Sequence, residues 1–176
     1  MKVKAAIAVF NASFLFWATA IYMGTGWSLW LFSFPIVPKL SPDNYYYVFV
    51  PQVAYATAFF TPLTWVMMAS SVLMLVLEWK GGIKWVPIVV LLLVGIAGWV
   101  TVNFIFPYNR QMTAGIHDPA QLQDILAHWT RLSTLRMWLW TAEWAAMMYY
   151  FGRRTYQAIQ SGVTAPTAKA SKTTAV

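Results

Sequence analysis

The sequence predicts an all-α integral membrane four-helix bundle with a short amphipathic helix leading into the fourth span. Three observations carry this expectation. Of 176 residues, 60% are hydrophobic and only 10% charged, a balance in which a soluble globule could not cover its own core. The apolar residues fall into four runs separated by stretches rich in proline, glycine and charge. An aromatic share of 18% suits helix ends placed at membrane interfaces, where amphipathic rings partition. The expected transmembrane domain covers 1–157, with spans at 5–31, 48–77, 85–106 and 132–152, followed by a polar tail at 158–176.

The first run goes from Ala5 to Leu31, follows Lys2 and Lys4, and is interrupted by Asn11, small hydroxyl residues and the Gly24, Gly26 pair. It is long enough to span. A basic start followed by Ala18, Thr19, Ala20 also fits a cleaved signal peptide, but apolar residues continue past that site and favour a retained helix. Pro35, Pro38 and Pro42, with Ser41, Asp43 and Asn44, form a turn-rich connection where the helix is expected to end. A triple tyrosine, Tyr45 to Tyr47, then marks an interface.

The second run extends from Val48 to Leu77 and contains Pro51 and Pro62, so it is expected to kink or tilt to fit its surplus length. Glu78, Trp79, Lys80, Gly81, Gly82 and Lys84 close it. The third run, Trp85 to Phe106, is mostly Val, Leu, Ile and Gly, and ends at Asn103 and Pro107. From Tyr108 to Thr130 the chain is polar. Within it, Asp118 followed by Pro119 starts a helix, with the aspartate as N-cap and proline in the first turn. Leu122, Ile125, Leu126 and Trp129 make its opening turns amphipathic. The same helix enters the bilayer near Leu132 and ends at Arg153 and Arg154. The Ala, Thr, Ser and Lys tail beyond it has the composition of a disordered segment.

Basic residues set the expected orientation. Lys2, Lys4, Lys80, Lys84, Arg153, Arg154, Lys169 and Lys172 fall on one side, against Lys39, Arg110, Arg131 and Arg136 on the other. The richer side, carrying both termini, is expected to be cytoplasmic, in a bacterial inner membrane. The net charge of +7 is scattered over segment ends and does not form a nucleic-acid footprint. There is no cysteine, which excludes a disulfide framework, thiolate chemistry, iron–sulfur clusters and thiolate-bound haem. No cofactor is required by the sequence.

Ionisable groups inside a membrane are costly unless they face the bundle interior, so Glu143 is the most informative single residue. Trp129, Arg136 and Glu143 recur every seven residues on one helical stripe. Two readings stay open: a polar pocket opening outward, or a structural hydrogen bond, for example to Asn11. The polar connection gathers Asn109, Arg110, His117, Asp118, Asp124, His128 and Arg131. Asp124 and His128 are an i, i+4 pair that would suit a general base or a metal, with His117 as a further donor. They lack a tight ligand motif, so no metal is assigned. No phosphate loop, nucleophile elbow or haem-attachment motif is present.

Three places carry a family likeness: Pro107, Tyr108, Asn109 after the third span; Trp129 through Arg136, a tryptophan followed seven residues later by arginine; and a glycine-containing first helix ending in proline, Gly24 through Pro35. In these places the chain resembles the anthrone oxygenase-like membrane proteins, over Ala5 to Phe151. It departs from them where members often carry a histidine between the tryptophan and the arginine; Ser133 and Thr134 stand there instead. The resemblance implies cofactor-independent oxygenation of an electron-rich polycyclic phenol. In a site of that kind Asn109 and Arg136 would bind or polarise a phenolate or quinone oxygen and His128 would move a proton, above a buried Glu143. Trp129, Asn103, Tyr108 and Trp140 would line the substrate pocket. The competing expectation is a non-catalytic accessory subunit, with the lipid bilayer, other membrane subunits or a second copy of the chain as partners. A transporter is disfavoured by the lack of an internal inverted repeat.

Overall fold

The computed structural model describes residues 2–163, and the predicted C-terminal tail lies mostly outside them. Among the described residues every regular element is helical. Helix α1 spans Lys2–Ser28, α2 Tyr45–Glu78, α3 Trp85–Val100, α4 Phe106–Ala114 and α5 Pro119–Val163. Three helical stretches are long and apolar enough to cross a membrane: Val3–Lys39, Tyr45–Glu78 and Trp85–Ala114. The longest helix, α5, is not among them, because Arg136, Glu143 and a run of Trp and Tyr lower its hydropathy. The chain is therefore an all-helical protein whose apolar helices are compatible with integration in a membrane.

The first connection breaks within the expected proline-rich stretch, at 40–44, but the helical path passes Pro35 and Pro107 without ending. A five-residue π-helical turn, Leu29–Ser33, follows α1 and leads into a 3-10 segment, Phe34–Lys39, with Pro35 in its first turn. A second π-helical turn, Thr101–Ile105, follows α3 and leads into α4, with Pro107 in its first turn. Proline lacks the N–H that an interior position needs but a first turn does not. A widened turn just before it lets the helical path restart. Helical backbone thus continues to Lys39 and to Ala114, where Gly115 at φ 93° makes the turn. Asp118 caps α5, its carboxylate oxygens accepting from the Ala120 and Gln121 amides at 3.1 and 3.2 Å.

Around the bundle the order is α1, α2, α3, α5. Each of α2 and α5 packs on α1 and α3, which sets α2 and α5 diagonally across the centre. The diagonal is bridged near its two ends. At the end holding the α2–α3 turn, Glu78 accepts from Tyr150 at 2.8 Å and from Arg154. Partial burial works against the Arg154 charge, but its bonds to Glu78 and Tyr150 outweigh this and raise the guanidinium above its ordinary range. At the α4 end, the Phe49 ring meets Trp129 edge-on at 4.6 Å.

Two apolar clusters occupy these ends. One joins Leu15, Met67, Met74, Val86, Val90 and Met147, and the other joins Tyr45, Ile105, Met112, Leu122, Leu126 and Trp129. The second is pinned by Tyr45, whose hydroxyl donates to the Met112 carbonyl at 3.0 Å and accepts from the Ile116 amide at 2.7 Å. Between Phe49 and Met67 no residue of α2 is fully buried. Over that stretch the inner face of α2 borders open space.

Candidate functional site

That space is a cavity of about 500 Å³ bordered by α1, α2, α3, α5 and the π-helical turn after α3. Its volume suits a small organic ligand. Tyr22 and Thr25 come from α1; Gln52, Thr57, Phe60, Thr61, Thr64 and Met67 from α2; and Trp129, Arg136, Trp140 and Glu143 from α5. The π-helical turn adds Thr101 and Asn103, and Asn109 of α4 stands nearby. A second cavity, also of about 500 Å³, adjoins it and shares Phe49, Val53, Thr57, Phe106 and Asn109.

Spacing along α5 explains the arrangement. Residues 129, 136, 140 and 143 recur at helical intervals and so face one way. Arg136 and Glu143 are two turns apart, about 10 Å along the axis, and Trp140 lies between them. The Arg136 guanidinium sits over the Trp140 ring at 5.0 Å and donates to Thr101 Oγ1 and Ser133 Oγ, each at 3.2 Å. Its Nε is buried without a partner. Glu143 is 1% exposed, and neither of its carboxyl oxygens receives a hydrogen bond. A buried carboxyl with no donor is expensive, and most such groups in folded proteins are satisfied.

The floor of the cavity is aromatic. Trp140 lies 6.5 Å from Phe60 with nearly parallel planes, and Tyr22 meets both rings edge-on at 4.6 and 5.1 Å. The Tyr22 hydroxyl is held by Thr64 at 2.6 Å and by the Phe60 carbonyl at 2.9 Å, which fixes the ring. The flat apolar slot is thus bordered by Arg136 and Glu143, whose unpartnered Nε and carboxyl oxygens each have less than 1 Å² of accessible surface.

Of the sequence-predicted residues, Asn109, Arg136, Glu143, Trp129, Asn103 and Trp140 all border this cavity. Asn109 also accepts from Trp129 Nε1 at 2.9 Å, fixing both. His128 and Tyr108 do not border it. They stack on each other at 6.0 Å on the outside of α5, where His128 Nδ1 lies 2.9 Å from the Asp124 carbonyl oxygen and 3.5 Å from its carboxylate. The proton-moving role expected of His128 has no geometry behind it, because an i, i+4 pair on a helix can face outward as well as inward. His117 is exposed too, and no three His, Asp or Glu side chains among the described residues come together in a metal-binding group.

The structural hydrogen bond between Glu143 and Asn11 is not formed. Asn11 pairs with Ser70 of α2 instead, donating to its carbonyl at 2.9 Å and accepting from its hydroxyl at 2.5 Å. Sequence reasoning missed Tyr22, Phe60, Thr101 and the Thr57, Thr61, Thr64 stripe. That stripe carried a signal, since hydroxyls at i, i+4 and i+7 share one face of an apolar helix.

The fold and the site define a class: an all-helical protein with membrane-compatible helices around a polar-ended internal cavity. Comparison with known proteins adds no narrower assignment, for no family model, no curated protein and no solved structure matches the chain.

Proposed function

We propose that the protein is a four-span membrane protein that binds an aromatic phenol or quinol in the central cavity and oxygenates it, with α5 as the fourth span. The observation that carries this reading is the pairing of unused hydrogen-bonding atoms, Arg136 Nε and both Glu143 oxygens, at the two ends of an aromatic slot. A planar ring with hydroxyl or carbonyl oxygens lies against Trp140, accepts from Arg136 and donates to Glu143. Arg136 stabilises negative charge on the ring oxygen, and Glu143 takes the phenolic proton. Dioxygen is the oxidant. One of its atoms becomes a ring carbonyl, and the other leaves as water with the one hydrogen of the reacting ring carbon and the phenolic hydrogen.

The apolar outer surface supports the membrane setting, with Trp17, Trp30, Trp65, Trp79, Trp99 and Trp138 all exposed. Lys80, Lys84, Arg153 and Arg154 cluster at the end holding the α2–α3 turn, and we place that end in the cytoplasm of a bacterial inner membrane. Purified protein in lipid nanodiscs tests the reading by titration with anthrone and hydroquinone, followed by oxygen uptake. Saturable binding that Glu143→Gln removes supports it, and absence of binding by either compound defeats it. The same exposed tryptophans support a second reading, an accessory subunit packed against partner helices or another copy. Native mass spectrometry of gently solubilised membranes decides this one, since a chain that flies alone is no stoichiometric subunit.

A further inference from the structure

We infer that the cavity opens sideways, between α2 and α3, into the hydrocarbon of the bilayer, and that its ligand is a phenolic or quinol ring carrying an alkyl or isoprenoid chain. The inference rests on the ring-binding reading above and adds the route and the tail. The cavity has a buried end and an exposed end. Tyr22, Trp140 and Glu143 are buried at the first, whereas Trp65 of α2 and Trp99 and Val102 beyond it on the α3 side are 67%, 58% and 56% exposed and also line the cavity. A wall whose residues are both exposed and cavity-lining is a mouth.

Glycines show that the mouth is open space and not a tight helix contact. Gly95 and Gly98 of α3 line the cavity, and a Cβ built on either would meet nothing within 4 Å. Gly26 of α1 is the contrast. There a Cβ would come within 3.1 Å of Met137 and Trp140 side-chain atoms and 3.2 Å of the Met137 Cα, so that glycine serves close packing of α1 on α5. The depth of the mouth decides what enters. Thr61 and Trp65 lie near the middle of the 34-residue stretch Tyr45–Glu78, and Gly98 and Trp99 near the middle of the 30-residue stretch Trp85–Ala114. An opening at mid-span meets lipid chains and not water.

A ligand arriving by that route is dissolved in the bilayer, and one whose polar ring satisfies Glu143 while its chain leaves past Gly98 matches both ends of the cavity. The polar demand at the deep end separates this from a plain lipid groove, because Glu143 is 1% exposed and lacks any donor. An acyl chain alone would leave that demand unmet.

The full chain in nanodiscs provides the test, with hydroquinone and decyl-hydroquinone as ring probes and a phospholipid bearing a diazirine on its acyl chain as a route probe. Decyl-hydroquinone is expected to bind at least tenfold more tightly than hydroquinone in membrane-equilibrated units. Gly98→Leu should remove that gain, and Gly98→Ala should retain it, being the smaller of the two changes and one that favours the helix. The photoactivated acyl chain is expected to label Met67 or Trp140, which are buried yet line the cavity. Equal binding of the two hydroquinones, or a Gly98→Leu protein that binds both as the wild type does, would overturn the tailed ligand. Ring binding without acyl labelling of Met67 or Trp140 would overturn the lateral route alone. Labelling without any ring binding would overturn the phenol reading and leave the route standing.

Discussion

Two buried glutamates set the ends of the bundle against its middle. Glu78 is 6% exposed and answers to two donors, the Tyr150 hydroxyl and the Arg154 guanidinium, which tie α2 to α5. Glu143 is 1% exposed and answers to none. Both carboxyls sit on long packed helices, so burial alone does not distinguish them. What differs is the space in front of each. Around Glu78 the turn closes tightly enough that a Cβ on Gly81 would come 2.8 Å from Oε2. In front of Glu143 lies the cavity. The first acid spends its hydrogen-bonding capacity inside the fold; the second has none of its capacity used there.

Removing the carboxylate of each acid breaks or sharpens this comparison. The largest effect is expected on binding: Glu143→Gln should weaken a quinol-type ligand at least tenfold, as loss of a hydrogen bond in a buried site worth about 1–3 kcal/mol implies. Its unfolding temperature should hold or rise, since no partner is lost. Equilibrium titration and thermal unfolding in nanodiscs check both halves.

Glu78→Ala should do the opposite, costing about 1–3 kcal/mol of stability with ligand affinity kept within twofold. The Arg154 side chain is 46% exposed, which screens its share and keeps the cost below that of a fully buried pair. Tyr45→Phe removes a hydroxyl that serves Met112 and Ile116 together, and a further loss of about 1–3 kcal/mol is expected, localised by faster amide exchange at 112–116. The smallest effect belongs to His128→Ala. Turnover and affinity should stay within twofold, because His128 lies outside the cavity.

Much of the helical architecture was legible in the sequence, because long apolar runs have few ways to hide their backbone polar groups. The connections were less so. Pro35 and Pro107 read as stops, yet each falls in the first turn of a restarted segment after a π-helical turn, a device that residue types do not announce. Glu143 stood out as an acid in an apolar run, but its surroundings did not. Heptad spacing places Arg136 and Glu143 on one stripe without telling which helix faces them, so a bond from Glu143 to Asn11 stayed open as one of two readings, whereas Ser70 takes Asn11 in the structure. Glu78 read as the close of a run, and its partners lie 72 and 76 positions away, beyond the reach of any local pattern.

The most direct measurement is the ligand-induced shift in unfolding temperature of three proteins in nanodiscs: the wild type, Glu78→Gln and Glu143→Gln, each with and without decyl-hydroquinone. If Glu143 holds the ligand and Glu78 holds the fold, the wild type and Glu78→Gln rise by similar increments from different baselines, and Glu143→Gln does not rise. A Glu143→Gln protein stabilised as strongly as the wild type would contradict that division of roles.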